Sequence, residues 1–362
     1  MKEVLDFYRK VRELDSPECV AAYDDPASYA QLHPSKVAAI RNNPFLKSET
    51  DCGQLLGICG STIIGGICPI PLQIVADGEV CSAICGSSLL VIPEARSTGY
   101  GIDILDKMRS LCKDGIDIYC GLSNDSRRLV KLLGRSLFPV PRHVMIRRSR
   151  EFTSYRHPQI VWRVASFFLD AIFWIHRLFV RSIVAVKLKG LSVRQIEVSD
   201  DDAIEFCARL VEADQHRCRQ NITPEWIKWV LTNEFRPIER VQKRLYGVYS
   251  GSELVAFWIS KTDSSGERGR VIEWQVSEGN ADLEPWILLK AALMILPFCN
   301  AVNLDSDVEA NYSLFRRLGF LSVPGQFCAV GADEQSRLNE HKGYSEQSNW
   351  RIRMSMADGA FY

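Results

Sequence analysis

The sequence predicts an α/β (α+β) protein of two domains, each a mixed, mostly antiparallel central sheet flanked by helices. Three observations predict this. A chain of 362 residues exceeds the usual length of one domain and gives two cores ample material. Leu89 to Met108 reads L-L-V-I-P-E-A-R-S-T-G-Y-G-I-D-I-L-D-K-M, an apolar strand, a proline break, a glycine-bearing turn and an amphipathic helix. Residues 191–335 then repeat that pattern in outline. The expected boundaries are 1–150 for the first domain, 151–190 for an aromatic linker helix, 191–335 for the second domain, and 336–362 for a polar tail with a final strand.

Bulk composition narrows the class. Charge is balanced, 44 basic against 44 acidic residues, so no nucleic-acid surface is expected. The 12 cysteines are scattered with no C-x-x-C, which argues against a zinc ribbon or redox motif and for a reducing, cytoplasmic setting. The 6 histidines show no H-E-x-x-H or other ligand spacing, so no metal is expected. M-K-E-V-L-D-F-Y-R-K at the start has no apolar signal region.

Taken in order, residues 1–15 read as a short amphipathic helix with Val4, Leu5, Tyr8 and Val11 on one face. Residues 24–43 mix turn and helix signals, and Asn43-Pro44 breaks the chain. Residues 54–68 read as strand–turn–strand, interrupted by Gly57, Gly60, Gly65 and Gly66. Pro69 and Pro71 punctuate before a strand at 72–76. Asp77-Gly78 between apolar runs predicts a type I′ hairpin, with the return strand over 79–92. Pro93 ends that strand because it cannot donate to a ladder. Ile102, Ile104, Leu105 and Met108 then recur at helical spacing over 101–113.

A strand follows at 116–122. Ser123-Asn124-Asp125-Ser126 offers a cap for a helix ending near Gly134, and 140–147 is another strand. Residues 157–189 are the most aromatic stretch, with Trp162, Phe167, Phe168, Phe173, Trp174 and Phe179 interrupted by Arg163, Asp170, Arg177 and Arg181. Two readings compete: a helix packed between domains and buried on most of its circumference, or an interfacial helix with arginines at lipid headgroups. The packed reading ranks first. In the second domain a strand at 192–198 precedes a helix capped by Ser199 to Asp202. Ile222 to Asn233 is helical, with Trp226 and Trp229 on one face. Strands at 244–249 and 253–261 flank a Ser-Gly-Ser turn. A strand at 271–276, a helix at 283–296 and a strand at 301–304 complete it. Residues 333–348 read as polar and loose, and 349–356 as a last strand.

The chemistry centres on the turn after Pro93. A glycine turn between a strand and a helix N-terminus directs backbone N–H groups and the positive dipole end at one point, which suits phosphate. A P-loop is excluded, since no Lys-Ser/Thr follows Gly101; a dinucleotide fingerprint is excluded, since Arg96 stands where its first glycine belongs. What remains is V-x-P followed by R-x-x-G-x-G. This resembles the GNAT superfamily of CoA-dependent N-acetyltransferases, whose loop is Q/R-x-x-G-x-G/A after a strand often ending V-x-P. The resemblance implies two GNAT-like domains. It places Arg96, Ser97, Thr98, Gly99, Tyr100 and Gly101 on the CoA pyrophosphate. Leu90, Val91 and Ile92 would lie along the pantetheine arm, with Leu90 or Val91 giving the N–H that polarises the thioester. Acetyl-CoA or another acyl-CoA is the implied co-substrate. Asn124 and Gly134 match a second family segment. The tyrosine that often serves there as general acid is replaced by Lys131, whose ordinary reading is a surface residue. Glu79, Ser87, Ser88, Tyr119 and Cys120 lie on the two strands concerned, and no catalytic residue is assigned among them.

The second copy carries Leu314-Phe315-Arg316-Arg317-Leu318-Gly319-Phe320, similar to the family's L-Y-x-x-x-G-F, but its strand–helix turn is Ser277-Glu278-Gly279-Asn280-Ala281-Asp282. Two carboxylates there would repel a pyrophosphate. The first half looks like GNATs of bacterial polysaccharide and cell-surface gene sets, which implies an amine acceptor such as an amino sugar or a lipid-linked cell-surface precursor. On the second-ranked, interfacial reading of the long aromatic segment, 157–189 would make peripheral contact with the inner membrane face. Alternatives are a non-catalytic tandem scaffold and a FemAB-like aminoacyl-tRNA-dependent transferase. The latter generally lacks the intact loop seen at Arg96 to Gly101.

Overall fold

A computed structural model describes residues 5–10, 12, 14, 32, 34–48, 51–59, 62–96, 98–149, 160–233, 242–263, 266–306, 309–318, 320–333, 336–341 and 343–353. These divide into two compact units. One takes its residues from 1–139, 215–237 and 326–362, the other from 140–214 and 238–325.

In chain order the elements begin with β1 (Leu5–Lys10), α1 (Pro34–Arg41), β2 (Cys52–Cys59), β3 (Thr62–Ala76) and β4 (Glu79–Val91). They continue with α2 (Tyr100–Ser110), β5 (Ile116–Cys120), α3 (Asn124–Leu132), β6 (Ser136–Ile146) and the long α4 (Ile160–Lys187). Next come β7 (Leu191–Ile196), α5 (Asp201–Glu212), β8 (Cys218–Gln220), α6 (Pro224–Thr232), β9 (Gln242–Ser250) and β10 (Glu253–Thr262). Last are β11 (Arg268–Val276), α7 (Glu284–Ile295), β12 (Ala301–Asp305), α8 (Glu309–Arg317), β13 (Leu321–Ala332) and β14 (Trp350–Arg351).

In the first unit β1 to β4 form an antiparallel meander, β4 runs parallel to β5, and β5 is antiparallel to β13. Helix α2 packs on this sheet through Ile104, Leu105 and Met108 against Leu55, Ile67 and Ile84. Burying each of these side chains is worth about 1.5–3 kcal/mol. Gly57 and Gly65 make that approach possible: a Cβ at either would lie 3.2 Å from the Ile104 Cδ1. Asp77 (φ 47°) and Gly78 (φ 87°) form the expected hairpin.

Four expectations fail in this unit. Residues 5–10 are a strand, paired with β2 from Leu5↔Ile58 to Arg9↔Gln54. The Leu5/Tyr8 spacing also fits a helix, but Phe7-Tyr8 favours a sheet when an edge is on offer. Pro69 and Pro71 do not divide β3, which runs unbroken. Its second edge is paired by β2 up to Ile67 and by β8 only from Ile74, so the two prolines fall where no ladder bond is demanded. The stretch 333–348 is not loose throughout: Leu338 is buried, and the Tyr344 carbonyl accepts from Trp350 Nε1 at 2.6 Å. The last strand expected over 349–356 is present as β14, which pairs with β8. Finally, the boundaries differ from those expected at 150, 190 and 335. Strand β8 joins β3, and Trp229 of α6 donates to the Ala39 carbonyl at 2.8 Å, so 215–237 belongs to the first unit. Residues 354–356 of the expected last strand lie outside the described residues.

In the second unit β7, β9, β10 and β11 are antiparallel neighbours, β11 is parallel to β12, and β12 is antiparallel to β6. Helix α7 covers the sheet with Ile287, Leu288, Ala291 and Ile295 against Trp258, Trp274 and Val302. The helix expected at 157–189 exists as α4, but it is not buried on most of its circumference. Val180 and Val184 are buried, whereas Phe167, Phe168, Trp174, Ile175 and Phe179 are exposed. Each unit is thus a mixed, mostly antiparallel sheet flanked by helices.

Candidate functional site

The chain leaves β4 through one tight turn at Pro93–Ala95. Ala95 N–H donates to the Ile92 carbonyl, Arg96 N–H to Pro93, and Thr98 N–H to Ala95, at 3.0, 3.3 and 3.2 Å. The Thr98 hydroxyl also donates to Ala95. Gly99 then takes φ 87°, ψ 0° as the residue before α2, a left-handed conformation that glycine adopts without cost. Gly101 sits in the first turn, where a Cβ would be tight, 3.2 Å from the Leu129 Cδ1 of α3. Ile102 and Asp103 N–H both donate to the Gly99 carbonyl, at 3.0 and 3.2 Å, and this end of α2 carries the helix's positive dipole. Asp103 in the first turn and the exposed Glu94 are the nearby carboxylates on this segment. Ser97 lies outside the described residues. Arg96 and Thr98 are exposed; Gly99 and Tyr100 are half-buried.

Beside this loop the sheet opens. The parallel ladder between β4 and β5 covers Ile84↔Asp117 and Cys85↔Ile118 and then stops, although β4 runs on to Val91. Ile92 N–H donates to the Ile64 carbonyl at 2.9 Å, and Val91 lies opposite Gly65. Backbone groups alternate along an antiparallel pair, so Leu90 turns its N–H into the β3 ladder and Val91 turns its own outward, toward the side where β5 has ended. The Val91 carbonyl on that side accepts from Arg96 Nε at 3.1 Å. Leu90 is 38% exposed, and Val91 and Ile92 are half-buried. Leu90, Val91, Ile92, Arg96, Thr98, Gly99, Tyr100 and Gly101 thus run along the end of β4, the turn after it and the start of α2, where the β4–β5 pairing has ended.

Tyr119 of β5 lies against Gly86 of β4. A Cβ on Gly86 of β4 would lie 2.5 Å from its ring, so only glycine fits there. The Tyr119 hydroxyl donates to Asp117 Oδ2 at 2.8 Å, and Arg135 donates to the same oxygen from Nε and Nη2 at 2.9 and 2.7 Å. Burial raises the Tyr119 phenol well above its usual range, and the Asp117 charge adds to it. Burial also raises Asp117 against the pull of Arg135. Tyr119 is therefore held neutral as a structural donor. Cys120 meets Cys328 of β13, sulfur to sulfur at 2.9 Å. Glu79 is exposed at the hairpin end of β4, about 40 Å along the strand from Val91, and takes no part in the opening. Ser87 is fully buried and accepts from Lys36 Nζ of α1 at 3.2 Å. Nothing in the sequence marks Lys36, since a lysine before Val37 in a short helix reads as a surface residue. Asn124 is the first residue of α3, which Ser123 caps by accepting from Ser126 N–H at 3.2 Å; the Asn124 side chain and that of Ser88 lie outside the description. Lys131 is exposed in the last turn of α3.

The second unit repeats the opening and closes it. Parallel pairing of β11 with β12 covers Arg268↔Ala301 to Arg270↔Asn303, while β11 continues to Val276. At the N-terminus of α7 stands Glu284. Its Oε1 accepts from Trp274 Nε1 at 3.1 Å and from Asn311 Nδ2 at 3.0 Å, and Asn311 also donates to the Ser306 hydroxyl at 3.0 Å. Glu284 is thus a first-turn carboxylate, favourable to the helix dipole, though among the described residues no side chain caps the helix; the helix continues from a 3-10 turn, with Glu284 N–H donating to the Ala281 carbonyl, and exposed Glu278 and Asp282 stand before it. Gly319 of the similar segment lies outside the described residues. Among the described residues no cluster of three or more His, Cys, Asp or Glu could hold a metal ion.

No family model and no curated protein matches the sequence. Solved structures do match the fold. A GCN5-related N-acetyltransferase from Anabaena variabilis is similar over 90% of this chain and 72% of its own, at 10% identity and a TM-score of 0.54. The N-myristoyltransferase of Saccharomyces cerevisiae with bound myristoyl-CoA is similar over 97% of this chain and 86% of its own, at 11% identity and a TM-score of 0.55. A GCN5-related N-acetyltransferase from Kribbella flavida is similar over 91% and 72%, at 13% identity and a TM-score of 0.53. With sequence identity this low the likeness is one of architecture, and the architecture agrees with the strand opening and glycine turn described above: the chain has the GNAT fold of the N-acetyltransferases.

Proposed function

We propose that the chain is a CoA-dependent acyltransferase whose single acyl-CoA site lies in the first unit. The observation that carries this reading is the outward Val91 N–H at the parting of β4 and β5, beside a left-handed Gly99 at the start of α2. These residues fit an acyl-CoA. The α2 N-terminus suits a pyrophosphate, exposed Arg96 adds positive charge, and the half-buried edge of Leu90, Val91 and Ile92 suits a pantetheine arm. In transfer to an amine, a C–N bond forms as the C–S bond breaks, the amine loses a proton and the thiolate gains one. Val91 N–H donates to the thioester oxygen, where charge grows in the transition state. The chain's further contribution is to hold the two reactants in line.

The acceptor proposed is an amine on an amino sugar or a cell-surface precursor, and the acyl group is acetyl or longer. Val91→Pro tests the role of the amide. It removes an N–H that the ladder does not use, so the fold tolerates it. Turnover should fall about 100- to 1000-fold, by more than any loss of CoA affinity; unchanged turnover contradicts the assignment. A second reading, a CoA-binding protein without transferase activity, is favoured by exposed Lys131 and by the held phenol of Tyr119. It predicts CoA binding with no thiol release for any amine.

A further inference from the structure

Helix α4 is built inside out. Its polar groups face its own unit: Asp170 Oδ1 accepts from Ser149 N–H at 2.6 Å, Arg177 Nη1 donates to the Arg147 carbonyl at 2.9 Å, and His176 bonds the Leu318 carbonyl. Its apolar groups face outward. Phe167, Phe168, Ile172, Ile175, Phe179 and Val186 are between 58% and 73% exposed. At 100° per residue these positions, with Trp174 and Leu178, fall within an arc of about 160° along about 30 Å of helix. That arc holds no charged residue between 167 and 186; Ser182, its polar member, donates to the Leu178 carbonyl. An unbroken apolar surface of this size marks an interaction site. The helix is not long and apolar enough to cross a membrane.

Charge says what covers it. Two grooves run beside the arc and meet at Arg181. One, of about 240 Å3, is lined by Arg147, Trp174, Arg177 and Arg181 over Leu293, Leu296 and Pro297. The other, of about 600 Å3, adds Lys189 and Lys290 over Val184, Leu188, Leu191 and Met294. Among the described residues, five cationic side chains line the two grooves and no carboxylate does. Arg147 and Arg177 donate to carbonyl oxygens, and Asp170 is a carboxylate whose charge acts on Arg177. In a chain whose net charge is zero, this is a local concentration of positive charge beside an exposed apolar face.

We propose that α4 lies in the headgroup–acyl boundary of an anionic phospholipid membrane, with the arc immersed and lipid phosphates drawn to the Arg181 grooves. Both parts have the chemistry required: apolar area for the acyl region, and arginines and lysines for anionic headgroups. A second copy of the chain on the same face would bring both sets of cations to one interface, with nothing to neutralise them.

The test is flotation of the full chain with phosphatidylcholine vesicles, with and without phosphatidylglycerol. The chain should float with the anionic vesicles and be released by salt. Phe168→Ser with Phe179→Ser should lower partitioning at least about tenfold with the thermal midpoint unchanged, since both side chains are exposed. Arg181→Gln with Lys189→Gln should abolish the preference for phosphatidylglycerol. Fluorescence keeps the proposal testable if a variant misfolds: spin-labelled lipid should quench the wild-type chain, and Trp174→Phe should remove that quenching. A chain that stays down with both vesicle types overturns the proposal. So does flotation of the Phe168/Phe179 variant equal to wild type, or a dimer that this variant splits. Flotation needs no CoA, so this proposal and the acyl-CoA site can fail separately.

Discussion

The two units contain the same local device and use it oppositely. In each, a strand pairs parallel with the next for two or three residues and then parts from it beside a helix N-terminus. In the first unit that N-terminus follows Gly99 at φ 87°, and the outward Val91 amide faces the opening. In the second it carries Glu284, tied to Trp274 and Asn311. An anion-favouring helix end can wait for a ligand or be satisfied from within, and which it does turns on a few residues of loop. The fold is shared, while the proposed acyl-CoA site belongs to one copy.

The sharpest way to break this comparison is Gly99→Glu. It forces a side chain into a left-handed position and adds negative charge at the helix end, so CoA affinity should fall at least about 100-fold. Calorimetry checks it, and binding equal to wild type would refute the loop assignment. Next in size is the buried pair of Asp117 on β5 with Arg135, which precedes β6. Arg135→Ala strands a buried carboxylate and should cost about 3–5 kcal/mol in urea unfolding; adding Asp117→Asn should recover part of the loss. Glu284→Ala should cost about 1–3 kcal/mol through two unanswered donors and leave CoA binding as it was, because the second opening is structural.

The smallest effect concerns pH. Arg217, with His341, holds the exposed Asp77 carboxyl down at about 2. The pKa of the unfolded state is higher, about 3.9, so the staple's contribution is present above that pH and lost as pH falls through the folded value. Acid unfolding between about pH 4 and pH 2 should be less steep in Asp77→Asn.

Legibility in the sequence followed the range of the forces involved. The Asp77-Gly78 hairpin, the Ser123 cap and the turn at Gly99 are set by neighbours a few residues apart, and each was readable from spacing alone. The strand at 5–10, the return of 215–237 to the first unit and the seating of Trp350 depend on partners far away in sequence, such as Leu5 on Ile58 and Trp229 on Ala39. Local pattern carries no trace of them. Helix α4 was readable as a helix, but its outward aromatic face was not, because the same spacing serves core and interface alike. The choice of Val91 over Leu90 needed the register with β3, which only the pairing supplies. Lys36 against Ser87 was invisible for the same reason.

The central claim is that one copy of the device binds CoA and the other is sealed. The most direct measurement is calorimetric titration of the full chain with CoA and acetyl-CoA, beside Gly99→Glu and Glu284→Ala. The account predicts one site per chain, lost in Gly99→Glu and retained in Glu284→Ala. Two sites, no site, or a site that survives Gly99→Glu would contradict it.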